Sequence, residues 1–163
     1  MKKMKLALGL LAGLVIAGGS ADAAITTTTF QVRVTIAAQC VINSAATLDF
    51  GSNGVITANI DQTSALSVQC TNTTPYNIGL NAGTGSGATV AVRLMTLSGA
   101  TIRYSLYTTA ARTTVWGNTI GTDTVTGTGT GLAQTITVYG RVPVQTTPSP
   151  GTYTDTIVAT VTY

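Results

Sequence analysis

Residues 30–36 read Phe30-Gln31-Val32-Arg33-Val34-Thr35-Ile36, an unbroken alternation with Phe30, Val32, Val34 and Ile36 on one face and Gln31, Arg33 and Thr35 on the other. A period of two is the mark of a β-strand with one buried face. Fully extended, the run reaches about 20 Å. Its setting is unusual. Ile25 and four consecutive Thr precede it, and Ala37-Ala38-Gln39 lead from it to the first cysteine, Cys40. A terminal arm is ordinarily short, polar and disordered, whereas this one carries four apolar side chains at the spacing that fills successive pockets of a groove. Two readings fit. The run is either the first strand of its own domain, or a strand offered to a neighbour, adding main-chain hydrogen bonds to an open sheet edge.

Outward from this segment the same period recurs. Leu66 to Cys70, Tyr76 to Leu80, Ile102 to Leu106 and Ile136 to Val142 all alternate, and no stretch after residue 23 has a helical period. Thr fills 34 of the 140 positions from Ala24 onward, and with Val and Ile it favours strands over helices. Gly83-Thr84-Gly85-Ser86-Gly87 and Gly127-Thr128-Gly129-Thr130-Gly131 are loops, and neither leads into a helix that could cradle a phosphate. Pro148-Ser149-Pro150-Gly151 is a turn into the last run. The expected fold is one all-β domain, an antiparallel β-sandwich.

The last run, Ile157 to Tyr163, places Ile157, Ala159, Val161 and Tyr163 on one face and closes the chain without a polar tail. An apolar strand at a sheet edge invites aggregation unless something covers it. Arm and edge are therefore expected to cover each other between molecules. Burying the four arm side chains would yield at most about 6–12 kcal/mol before ordering costs. Such a head-to-tail contact propagates into an open filament.

Charge is scarce and uneven. Met1-Lys2-Lys3-Met4-Lys5 is a positive segment, Leu6 to Ala17 is apolar, and Ala21-Asp22-Ala23 has the form of a signal-peptidase site. The apolar run falls short of the roughly 20 residues a membrane span needs. Residues 1–23 are read as a secretory signal, and no later run would cross a bilayer. Export makes Cys40 and Cys70, the only two cysteines, an expected structural disulfide. Past residue 23 there are five Arg, four Asp, and no Lys, Glu or His. That inventory offers no general base near neutrality and no His metal ligand. The pI of about 9.1 comes mostly from the signal, so it does not point to nucleic acid. No enzyme, catalytic residue, cofactor or metal is expected.

Individual residues have plainer readings as well. Trp116 and the six Tyr suit either a sugar-binding platform or the interior of the sheets. Asp155 shares parity with Ile157 and Val161, so burial would demand a partner, with Arg93 and Arg141 as candidates on charge alone. Asp49 is expected to accept backbone hydrogen bonds at a turn.

Leu48-Asp49-Phe50-Gly51, Val68-Gln69-Cys70-Thr71, Thr74-Pro75-Tyr76, Arg93-Leu94-Met95, Tyr104-Ser105-Leu106-Tyr107, Val115-Trp116-Gly117, Tyr139-Gly140-Arg141-Val142-Pro143 and Gly151 to Thr156 follow one another in order. With Cys40 soon after the arm, this series resembles the spore coat protein U-type domain, the subunit family of archaic chaperone–usher pili. The resemblance implies an incomplete immunoglobulin-like sandwich with an N-terminal donor strand: an arm at 24–38 and a pilin domain at 39–163. It also implies a periplasmic chaperone that lends a strand, and an outer-membrane usher that replaces it with the next subunit's arm. On that pattern Phe30, Val32, Val34 and Ile36 are donor side chains. Ile157, Ala159, Val161 and Tyr163 border the acceptor groove and contact the chaperone, and Cys40–Cys70 ties the first strand to the second. The function implied is a structural subunit of a surface pilus, exported through the periplasm, serving attachment and biofilm. The alternatives are a secreted spore or cell coat protein of the same fold, or a lectin-like adhesive module using Trp116.

Overall fold

Alternating inward side chains build most strands of the computed structural model, which describes residues 22–163. The expected signal peptide, 1–23, lies almost wholly outside the described residues. In chain order the strands are β1 (Cys40–Ala45), β2 (Ile60–Cys70), β3 (Pro75–Leu80), β4 (Arg93–Leu97), β5 (Ala100–Tyr107), β6 (Val125–Thr128), β7 (Ala133–Val142) and β8 (Ala159–Thr162). Among the described residues there is no helix. All strand pairs are antiparallel, in a five-stranded sheet ordered β1-β2-β7-β5-β4 and a three-stranded sheet ordered β6-β3-β8. The chain divides between Val34 and Thr35, and the sandwich belongs to the second part.

The core is the meeting of the two inner faces. Leu66 and Val68 of β2, Tyr104 and Leu106 of β5, and Val138 and Val142 of β7 pack with Tyr76, Ile78 and Leu80 of β3. Each set sits at every second position, as the sequence alternation requires. The Cys40–Cys70 disulfide joins directly opposed residues of β1 and β2 across a sequence separation of 30. For a loop of that length the chain-entropy contribution is about 3–4 kcal/mol.

One long side of the sandwich is sealed by the segment after β5. Trp116 N–H donates to Leu106 O of the larger sheet, and Leu80 N–H of the smaller sheet donates to Gly117 O. Trp116 itself is fully buried and its indole N–H donates to Ile78 O at 2.8 Å. It is a core residue, which removes it as an exposed stacking platform for sugars.

Arg93 is the least expected part of the core. It is fully buried, and its guanidinium donates to the carbonyls of Leu80, Asn81, Val90 and Trp116 at 2.7–3.1 Å. Burial pushes its pKa down from the ordinary arginine value. The four hydrogen bonds it donates are what make a cation tolerable there.

Residues 22–39 form no strand. Phe30, Val32, Val34 and Ile36 are 75–87% exposed.

Candidate functional site

The other long side of the sandwich is open. Its first wall is the stretch from Ala45 to Phe50, most of which lies beyond the end of β1 and is not part of a strand. The second wall runs from Thr152 to Ala159 and continues into β8. Between them lie two adjoining cavities of about 550 Å³ and about 730 Å³, both bordered by Leu48, Asp49, Phe50, Met95, Thr152 and Tyr153. Core side chains form the floor of the first cavity, among them Leu66, Leu80, Tyr104, Leu106 and Val138. Leu48 and Phe50 overlie β7 at Gly140, where a Cβ would come within 2.9 Å of both side chains. A bare position in β7 is what lets this wall close down.

The backbone of the second wall is half-paired. β8 bonds β3 on one side and, among the described residues, has no hydrogen-bonded strand on the other. Asn81 N–H donates to Val158 O, while Leu80 N–H turns away to Gly117 O. In an antiparallel ladder this alternation makes Leu80–Ala159 and Ile78–Val161 non-hydrogen-bonded pairs. Ala159 and Val161 therefore direct their N–H and C=O groups to the open edge.

Of the C-terminal residues singled out from the sequence, Ile157, Ala159 and Val161 are half-buried against the core, and Ile157 and Ala159 line the first cavity. The strand is shorter than the alternation from Ile157 to Tyr163 suggests. Tyr163 lies beyond its end and is 58% exposed. Before β8, Thr154 bridges to Thr96 of β4, so this segment passes from one sheet to the other.

Asp155 holds that crossing in place. Its carboxylate accepts the Tyr104 hydroxyl at 2.8 Å, the Thr84 N–H at 2.8 Å and the Thr84 hydroxyl at 2.9 Å. Neither arginine proposed from the sequence reaches it. Arg93 is occupied by backbone carbonyls, and Arg141 makes a two-point pair with Asp61, 2.7 Å at each contact. That pair, with Arg112 at 3.4 Å, holds the Asp61 carboxyl below its ordinary value. Burial, then the bond to Asp155, raises the Tyr104 hydroxyl well above the tyrosine range. Asp49 accepts the Gly51 N–H at 2.8 Å, the turn bond expected of it.

The groove offers an apolar floor and main-chain hydrogen bonds along an edge, the two things an added β-strand requires. The floor residues Leu106 and Val138 escape sequence reading, because alternation says which face is inward and not whether that face is covered. The Leu48-Asp49-Phe50-Gly51 wall carries a signal, being alternating and ending in Gly51.

Known proteins resemble this chain in fold and in sequence. A chain of the crystal structure of the CsuC–CsuE chaperone–tip adhesion subunit pre-assembly complex, from the archaic chaperone–usher Csu pili of Acinetobacter baumannii, shares the fold with a TM-score of 0.56 at 22% identity. The match covers 79% of the present chain and 40% of that one. Protein U of Myxococcus xanthus is 34% identical over 163 residues, 91% of this chain and 90% of that protein. Residues 26–160 match the Spore Coat Protein U domain. The fold is thus an incomplete immunoglobulin-like sandwich, and the chain belongs to the Spore Coat Protein U domain family.

Proposed function

We propose that this protein is the structural subunit of a chaperone–usher pilus, polymerising head to tail by donor-strand exchange for surface attachment and biofilm formation. One juxtaposition carries the reading. Phe30, Val32, Val34 and Ile36 are exposed on the arm, while an apolar groove with an unpaired β8 edge lies open on the body. Each molecule then both donates a strand and accepts one. In the joint, the arm's alternate side chains fill the groove and its backbone bonds the Ile157, Ala159, Val161 and Tyr163 edge. Before assembly a groove of this kind needs a temporary occupant, which is the part assigned to a periplasmic chaperone. An outer-membrane usher would carry out the replacement. Residues 1–23 serve as the export signal in this scheme.

The test is to express the full chain with its own export partners and run the surface fraction in SDS with and without heating. A ladder of multimers that collapses on heating, and is lost when residues 24–38 are deleted, is the expected result. A single monomer band in both lanes, from protein that is folded and protease-resistant, overturns the reading.

The match to the Spore Coat Protein U domain favours one second reading, assembly by the same joint into a coat. Multimers retained in a coat fraction rather than sheared off as fibres would select it.

A further inference from the structure

Past residue 23 only nine side chains carry formal charge, so the surroundings of each can be followed. Asp61 pairs with Arg141 and Arg112. Arg93 is spent on four carbonyls, and Asp155 on Tyr104 and Thr84. Asp123 accepts the Thr119 N–H at 2.6 Å. Arg103 on β5 makes no ion pair among the described residues and lines neither cavity. Among the described residues, no ion pair involves Arg33 or Asp49 either. Both are exposed. Arg33 is the only charged residue between 24 and 38, and Asp49 sits on the groove wall.

Their parity matches. On the wall, Leu48 and Phe50 pack against the core while Asp49 between them faces solvent. On the arm, Val32 and Val34 share the face of Phe30 and Ile36, and Arg33 lies on the opposite one. Laid into the groove with its apolar face down, the arm presents Arg33 on the same outer surface as Asp49. Asp49 lies outside any strand, and an arm running alongside this wall would bring directly opposed side chains to about 5 Å at Cβ, close enough for an ion pair.

We propose that Arg33 of one molecule pairs with Asp49 of the next, and that this contact sets the register of the docked arm. The inference rests on the donor-strand reading above. Apolar side chains of similar size, such as Val32 and Val34, discriminate poorly between neighbouring positions along a groove. A one-residue slip would turn Arg33 into the apolar floor, where an unpaired charge is strongly disfavoured. A two-residue slip keeps Arg33 outward and moves it away from Asp49. The pair therefore selects among registers that the apolar face alone leaves close in energy.

Full-length Arg33→Asp, Asp49→Arg and the double variant, each expressed with the export partners, test this. Readouts are the yield of heat-sensitive multimers and the rate at which added arm peptide, residues 24–38, enters the groove. Each single change sets like charges opposite one another and is expected to lower yield and rate by roughly threefold to tenfold. The double variant restores both to within about twofold, and raised salt narrows the difference. Rescue also separates pairing from folding, because Arg33→Asp cannot repair the Gly51 turn that Asp49→Arg disturbs. Single variants indistinguishable from wild type, or a double variant as poor as the worse single, overturn the pairing while wild-type multimers uphold the donor-strand reading. Absence of wild-type multimers overturns both.

Discussion

The hydroxyl of Tyr104 donates a 2.8 Å hydrogen bond to Oδ2 of Asp155, tying the groove floor on β5 to the wall that leads into β8. Asp155 is thereby the hinge pin of the open side, because the segment it anchors crosses from one sheet to the other.

Tyr104→Phe removes that donor and leaves one carboxylate oxygen short of a partner. The expected loss is about 1.5–3 kcal/mol, measured by guanidinium unfolding. The pH dependence has a definite sign. The pKa of Tyr104 is raised by burial and by the bond to Asp155. Its contribution is thus complete below the free tyrosine value of about 10, and is lost as pH rises from there toward the folded value. Wild type should lose stability steeply in alkali. Tyr104→Phe, less stable at pH 7, should show a shallower decline, and parallel curves would contradict the assignment.

Gly83 lies against the same carboxylate. Its φ is +85°, and a Cβ there would collide with Asp155 Oδ2. Gly83→Ala must therefore both strain the backbone and push Asp155 off Thr84. A loss of roughly 2–4 kcal/mol is expected. Thr84 amide exchange should rise as its hydrogen bond opens. An unchanged melting temperature would show that the loop, not the carboxylate, gives way.

Removing the Arg93 guanidinium with Arg93→Met leaves the buried carbonyls of Leu80 and Trp116 and the part-buried ones of Asn81 and Val90 without this donor. A side chain of similar length keeps most of the volume, so the loss should reflect polar satisfaction more than packing. About 3–5 kcal/mol is expected, with near-ultraviolet circular dichroism reporting a loosened Trp116. A loss under about 1 kcal/mol would mean water replaces the guanidinium.

The sequence makes the strands legible because a half-buried sheet imposes a period of two. Leu66–Cys70, Tyr76–Leu80, Ile102–Leu106 and Ile136–Val142 each fall inside a strand. The place of Arg93 is not legible, since three of the four carbonyls it serves, those of Asn81, Val90 and Trp116, arrive from connections with no periodicity. The parity of Asp155 is readable while its partner is not. Charge suggests an arginine, but the geometry supplies a tyrosine hydroxyl and a threonine. Parity also puts Tyr163 with Val161, yet ladder pairing stops at Thr162 and leaves the ring outside. An open groove is hardest of all to see, because an inward residue looks the same whether or not a strand covers it.

Val34→Asp places a carboxylate at the centre of the arm's apolar face without touching the sandwich core. An arm residue this exposed, 80% in the free chain, should leave the unfolding free energy of the isolated subunit within about 0.5 kcal/mol of wild type. In the docked arm the same carboxylate would have to enter an apolar groove, a transfer that costs several kcal/mol unless a partner is supplied. Export and folding should therefore persist while heat-sensitive multimers disappear. Val34→Ile, which enlarges the side chain and keeps it apolar, should preserve them. Multimers from Val34→Asp at wild-type yield would mean that this face of the arm does not enter the groove.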